Sequence, residues 1–172
     1  MTLDELRALA TIEDGPHLRF QPPYQQMSVT LDEAEFLYAL VRALKPPICV
    51  LELGTGLGLS GRFIAEALLA DGDAMLMTIE PSVDCRWEAN SLLSAMPALI
   101  EEECRANPDT PDLVYIDSGE KHRWYDIKTW LTNGYAGVVI VHDAERDYPE
   151  IAEHGNGVYL PTANGMWLGR AK

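Results

Sequence analysis

Basic residues are scarce in this chain. Lys and Arg total 13 against 27 Asp and Glu, a formal net charge of −14 at pH 7. Binding along a nucleic-acid backbone calls for the opposite, a basic face that releases counterions. Nucleic acid is therefore not an expected partner, whereas a small molecule is. Cysteines are few as well. Cys49, Cys85 and Cys104 are odd in number and widely spaced, which leaves neither a disulfide framework nor a CxxC metal site. A reducing, cytoplasmic setting suits them. No apolar run approaches the ~18 residues that a membrane span needs. Met1 to Glu5 lack the basic and apolar segments of a signal peptide. No membrane partner is expected, and no repeat or low-complexity tract occurs.

What is present points to one domain over 1–172, with N-terminal helices and an arm over 1–45 and a ligand-binding core over 46–172. A chain of 172 residues, 47% hydrophobic, can bury a sizeable core. Its centre is Val50-Leu51-Glu52-Leu53-Gly54-Thr55-Gly56-Leu57-Gly58-Leu59-Ser60. An apolar run from Ile48 to Leu53 enters a turn with glycine at every second position, and a helical pattern follows. A strand that ends in such a turn brings backbone amides close to a ligand.

Thr2-Leu3-Asp4-Glu5 and Thr30-Leu31-Asp32-Glu33 are capping boxes, and each predicts a helix start. The second helix runs to the Lys45-Pro46-Pro47 stop, and the prolines at 16, 22 and 23 make 15–29 an irregular arm. After the glycine turn, Ser60 is a candidate cap for a helix with Phe63, Ile64, Ala67 and Leu68 on its apolar face. Strands are expected at 75–79, 113–116 and 137–141, a helix over roughly 120–132, and a short helix around 147–153. The stretch 85–90 reads as a weak edge strand, and a helix is expected from Pro97 to about Arg105. Val158 to Leu160 and Met166 to Leu168 flank an Asn164-Gly165 pair, the signature of a hairpin. Trp124, Tyr125 and Trp130 are candidates for a substrate wall, with Trp130 suited to the core by its spacing; Tyr24 and Tyr148 are candidates for a cover.

Strands separated by helical crossovers make a parallel sheet, and ligands bind outside the carboxyl ends of its strands. Four strand ends here carry polar or glycine-rich groups: the glycine turn, Glu80, Asp117, and His142-Asp143. They should line one crevice. Gly56 to Gly61 matches GxGxxG, a dinucleotide pattern, but Glu52 would repel a pyrophosphate and suits a cationic or amine-bearing ligand. Glu80 can accept both hydroxyls of a ribose.

The run from Val50 to Gly58 resembles the first motif of class I S-adenosylmethionine-dependent methyltransferases. Asp112-Leu113-Val114-Tyr115-Ile116-Asp117, followed by Ser118-Gly119-Glu120-Lys121-His122, is similar to the D-L-(V/I)-x-I-D-G-x-H stretch of their small-molecule O-methyltransferases. Gly137-Val138-Val139-Ile140-Val141-His142-Asp143 resembles the G-G-x-(I/V)-x-x-H-D stretch, and Asn164 to Leu168 the last hairpin. The resemblance implies an α/β, Rossmann-like methyltransferase fold: a mostly parallel seven-stranded sheet with a C-terminal antiparallel hairpin. Glu80 to Trp87 is short for the helix implied there, so a shortened middle is expected.

The resemblance also implies S-adenosylmethionine as cofactor. Its amino-acid end would lie by Glu52, Gly54, Thr55, Gly56, Gly58 and Ser60, its ribose on Glu80, its adenine beside Asn90 and Ser91, and Asp117 would border it. Asp117, His142, Asp143 and His122 become candidate catalytic residues, with either histidine as general base. Asp117 and Asp143 are also candidate ligands for a divalent metal such as Mg2+, although Ala144 and Glu145 stand where the usual third ligand would follow. The implied activity is methyl transfer to a small-molecule hydroxyl. The alternatives are a non-catalytic binding module of the same fold and an NAD-dependent oxidoreductase. A homodimer that lends cover to the cleft is a further expectation.

Overall fold

A computed structural model describes residues 29–44, 48–56, 58–69, 74–83, 85–86, 89, 93, 96, 98–101 and 111–172. The first capping box, the proline arm up to residue 28 and Cys104 lie outside them. Helix α1 (Leu31–Ala43) starts as its capping box dictates. The amide of Glu33 donates to Thr30 Oγ1 at 3.4 Å, and the amide of Thr30 donates back to Glu33 Oε2 at 2.8 Å. Then follow β1 (Cys49–Leu53), α2 (Leu59–Leu69), β2 (Met75–Ile79), β3 (Ala98–Glu101), β4 (Leu113–Ile116) and α3 (Glu120–Thr132). The chain closes with β5 (Val138–His142), α4 (Ala144–His154), β6 (Gly155–Leu160) and β7 (Met166–Ala171).

The seven strands lie in the order β3-β2-β1-β4-β5-β7-β6. β1, β2, β3, β4 and β5 pair in parallel, and β7 runs antiparallel between β5 and β6. This is the expected α/β, Rossmann-like sheet with its terminal hairpin. Successive strand residues face opposite sides, and the burial follows that alternation. Val50, Leu76, Leu113 and Ile140 pack with Leu37, Phe63 and Leu68 of α1 and α2. Leu51, Val114, Val139 and Trp167 pack with Ile127, Leu131 and Ile151 of α3 and α4. Strands buried on both faces read as continuous apolar runs, which is why β1, β4 and β5 were legible in the sequence.

The segment between β2 and β4 corrects the sequence reading. Val83, Cys85, Arg86, Ala89 and Leu93 are helical, so 85–90 is not an edge strand. The i, i+4 pair Ala89 and Leu93 is buried at 0% and 4% exposure, a helical period that the polar residues around it obscure. The Arg86 guanidinium anchors this turn by donating to the Glu80 and Pro81 carbonyls. Ala98–Glu101 forms β3 beside β2 where a helix was expected.

The strand order reverses between β1 and β4, and a ligand crevice belongs there. The chain leaving β1 touches the chain leaving β4. The Asp117 amide donates to the Leu53 carbonyl at 2.8 Å, and a Cβ on Gly54 would lie 2.4 Å from the Asp117 carbonyl oxygen. Gly54 also has φ +92, so position 54 admits only glycine on both counts.

Candidate functional site

A cavity of about 1020 Å³ opens at the carboxyl ends of β1, β2, β4 and β5. Its walls include Gly54, Thr55, Gly56, Ser60, Glu80 and Asp117, and further along His122, Arg123, Asp126 and Asp143. All four strand ends therefore share one crevice.

The glycine turn is held from within. The amides of Gly54 and Thr55 donate to the Ile79 carbonyl at 2.9 and 3.3 Å, and the Gly58 amide donates to the Thr55 carbonyl at 2.9 Å. The Gly56 amide donates to Glu80 Oε2 at 2.7 Å. These amides are engaged, so the turn is not the bare cradle for a phosphate that its glycine spacing suggested. Gly56 keeps φ +53 with nothing within 4 Å of a Cβ built on it, so its Cα side faces open cavity.

Glu52 lies beneath the turn and off the cavity wall, at 0% exposure. Ser60 Oγ donates to its Oε1 and Thr78 Oγ1 to its Oε2, each at 2.6 Å. The Thr55 hydroxyl bonds that of Thr78. Burial pushes the Glu52 carboxyl up to about 7, against the hydrogen bonds from Ser60 and Thr78. This corrects two expectations. Glu52 ties β1, β2 and α2 together rather than touching a ligand, because its carboxyl group is buried off the cavity wall with Ser60 and Thr78 bonded to it. Ser60 is the second residue of α2, and its hydroxyl turns to Glu52 instead of capping the helix.

Glu80 does face the cavity. Its Oε2 accepts from the Gly56 amide and its Oε1 from the Ser82 amide at 2.8 Å. Each oxygen keeps lone-pair capacity for a further donor, which is what a pair of ligand hydroxyls requires. Asn90 and Ser91, the expected adenine neighbours, lie outside the described residues.

The opposite wall is ionic. His142 is 4% exposed and sits between two acids. Its Nδ1 lies 2.9 Å from Asp117 Oδ1 and its Nε2 lies 3.3 Å from Glu33 Oε2. Burial favours a neutral ring, but the bonds to Asp117 and Glu33 outweigh it and push His142 up to about 10. The imidazole is thus charged at neutral pH with both nitrogens donating. That corrects its expected role as general base, since it has no lone pair to offer a proton. Glu33, on α1, is fully buried. Burial would raise its pKa, yet hydrogen bonds from His142, Thr162 and the Thr30 amide hold it well below the usual carboxylate range. Thr162 Oγ1 donates to Glu33 Oε1 at 2.6 Å, and Asn164 Nδ2 to Oε2 at 2.9 Å. One buried carboxylate so joins α1, β5 and the β6–β7 turn.

Arg123, near the start of α3, is 7% exposed. Its Nη2 lies 3.0 Å from Asp143 Oδ2 and 4.0 Å from Asp117 Oδ1, and its Nε donates to the Ser118 carbonyl at 3.0 Å. Asp143 adopts the left-handed conformation, φ 52, which turns the chain from β5 into α4 and presents its half-exposed carboxylate to Arg123. Among the described residues, Asp117, His142 and Asp143 form a group whose ligand atoms lie within 4.8 Å of one another, the expected metal position. The residues do not fit a divalent ion. Arg123 bridges the two acids, both His142 nitrogens are taken, and Ala144 offers no third oxygen.

His122 is exposed on the cavity wall. Trp124, Tyr125 and Trp130 do not line it. Trp124 packs on His154 and Trp130 on Tyr135, while Tyr148 packs on Tyr159 rather than over the cleft. The sequence reading missed Glu33 and Arg123. The signal for each was a charge on an apolar face, Glu33 with Leu37 at i+4, and Arg123 with Ile127 and Leu131 at i+4 and i+8.

No protein-family model matches the sequence, and no curated protein matches it. Solved structures do match it in shape. A crystal structure of a putative caffeoyl-CoA O-methyltransferase from Staphylococcus aureus is 16% identical, with TM-score 0.75 over 99% of this chain and 99% of that one. A Podospora anserina methyltransferase solved with S-adenosylhomocysteine bound is 16% identical, with TM-score 0.72 over 99% of this chain and 87% of the other. The Streptomyces achromogenes O-methyltransferase of tomaymycin synthesis, in complex with S-adenosylmethionine, is 19% identical, with TM-score 0.65 over 98% and 90%. The chain therefore has a class I O-methyltransferase-like fold.

Proposed function

We propose that this chain is an S-adenosylmethionine-dependent methyltransferase that acts on the hydroxyl of a small molecule. One observation supports this over a dinucleotide enzyme. The cavity offers a carboxylate, Glu80, beside a glycine turn whose described amides are already engaged. Such a wall suits a ribose diol and an uncharged linkage, and offers little to a pyrophosphate. A cavity of about 1020 Å³ has room for a nucleoside that carries an amino acid.

When bound, S-adenosylmethionine supplies an electrophilic methyl group on a sulfonium. Glu80 would hold its ribose, and Gly54, Thr55 and Gly56 would pass close beneath it. Ser60, whose hydroxyl is committed to Glu52, shapes the floor. Asp117, which borders the cavity at the end of β4, could face the sulfonium. His122 is the exposed imidazole on the wall, within the crevice that an acceptor would enter. Orientation of donor and acceptor in one crevice would supply most of the rate.

The same proposal includes a reducing cytoplasm, in keeping with few and widely spaced cysteines, and a homodimer that covers the cleft. No helix among the described residues is long and apolar enough to cross a membrane. A thermal-shift titration tests the cofactor. S-adenosylhomocysteine should raise the melting temperature and NAD should not, because only a ligand of the folded state stabilises it. A shift with NAD alone would replace this reading by the oxidoreductase.

A further inference from the structure

The position of a divalent metal in this crevice is filled by protein. Asp117 and Asp143 end adjacent strands, as a metal site requires, but a guanidinium lies between them. Arg123 is held there on three sides, by Asp143 Oδ2 at 3.0 Å, by Asp117 Oδ1 at 4.0 Å, and through Nε by the Ser118 carbonyl. It is 7% exposed and comes from the core-facing side of α3, so it has little freedom to swing away. A cation entering between the acids would have to expel it and leave a buried charge unpaired.

Arg123 also stands where two hollows meet. It lines the large cavity and a second depression of about 460 Å³, which it shares with Asp143, Glu145, Arg146 and Asn164. Its Nη1 has no hydrogen-bond partner among the described residues. A buried guanidinium with an open N–H at the junction of two hollows can donate a hydrogen bond to a ligand oxygen.

We propose that Arg123 takes the place of a divalent metal between Asp117 and Asp143, and that the site methylates, without metal, acceptors whose oxygen is already ionised when they bind. The substrate clause rests on the methyltransferase reading above, and the metal clause stands apart from it. A guanidinium does not coordinate an oxygen and lowers the pKa of a hydroxyl less than a divalent ion does. The acceptor must then bring its own charge. The oxyanion's lone pair forms the new bond to the methyl carbon, and the carbon–sulfur bond breaks with its electron pair remaining on sulfur. The anion and the sulfonium become a neutral ether and a neutral thioether, and no proton moves.

The test uses the full chain. Mn2+ is titrated and its free signal followed by electron paramagnetic resonance, while S-adenosylhomocysteine affinity is measured by calorimetry on the same sample. Wild type should take up no Mn2+. Arg123→Ala should take up about one Mn2+ per chain, because the acids are then open. Labelled methyl transfer to 4-nitrophenol, of which a large share is phenolate near neutral pH, should proceed equally with and without EDTA, and 4-methylphenol, almost wholly neutral there, should be a much poorer acceptor. Stoichiometric Mn2+ binding by wild type that Asp117→Asn abolishes, or transfer that EDTA stops, would overturn the proposal. An Arg123→Ala chain that does not fold leaves the wild-type titration and the EDTA comparison to decide it. Failure of S-adenosylhomocysteine to bind would overturn the methyltransferase reading and its substrate clause, with the Mn2+ result still judging the metal clause.

Discussion

The two sides of the crevice are held by different physics. On the β1–β2 side, backbone amides and three hydroxyls close over two carboxylates, and no cation is needed. On the β4–β5 side, His142 and Arg123 thread between Glu33, Asp117 and Asp143. The first arrangement is local. Turn, strand end and helix start lie within about one βαβ unit, so hydrogen bonds fix the shape of the cavity floor. The second reaches across the chain, from residue 33 to residue 164. It joins the first described helix to the last hairpin, so one cluster serves as both a wall of the site and a clasp of the fold.

If the clasp is ionic and the floor is not, mutations should separate them. The largest effect is expected for Glu33→Ala. It strips His142, Thr162 and Asn164 of a shared partner and leaves a buried imidazolium short of one acid. A loss of about 3–5 kcal/mol in urea unfolding is the expected outcome, and a loss below about 1 kcal/mol would show that the cluster is not a clasp.

Gly56→Val comes next and acts on the floor. Open space surrounds its Cβ position, so the cost is mainly that of the left-handed backbone, about 1–2 kcal/mol. The added side chain projects where a ligand would lie, and S-adenosylhomocysteine affinity should fall by about 100-fold or more, equivalent to ~2.7 kcal/mol. Unchanged affinity would move the ligand elsewhere.

The pH dependence separates the sides again. A folded pKa above the unfolded one means that the native state holds more protons, so stability falls as pH rises between the two. For Glu52 the fall should lie between 4.5 and about 7, and Glu52→Gln should flatten it. For His142 it should lie between 6.5 and about 10, and His142→Asn should flatten that window only. Glu33 is depressed, so its contribution is complete above 4.5 and fades in stronger acid. Denaturant midpoints across pH check all three, and a flat profile from 6.5 to 10 in wild type would remove the charged His142. The smallest effect is expected for Ser60→Ala, about 1 kcal/mol, since Glu52 keeps Thr78 and titrates to the neutral form near 7.

The same contrast decides what was legible in the sequence. β1, β2, β4 and β5, the glycine turn and Glu80 are local patterns of apolar runs, glycine spacing and a terminal acid, and each could be read from a short window. The clasp could not. Glu33 reads as half of a capping box and is one, but nothing near it in the chain announces His142 or Asn164. Arg123 sits among aromatic and charged neighbours in a helix of weak amphipathic pattern, and only its spacing to Ile127 and Leu131 marks it as inward-facing. The stretch from 83 to 101 misled because polar residues separate Ala89 and Leu93, its buried helical pair, and because β3, at the sheet edge, is only partly buried.

The central claim is that the cavity above Gly54, Gly56 and Glu80 binds an S-adenosyl ligand. Calorimetric titration of S-adenosylhomocysteine into wild type, Gly56→Val and Glu80→Gln tests it most directly. One site per chain in wild type is expected, lost in Gly56→Val and weakened about tenfold or more in Glu80→Gln, where a hydrogen bond to a charged acceptor worth ~1.5–3 kcal/mol is removed. Absence of binding to a folded wild-type chain, or equal binding by all three, would contradict it.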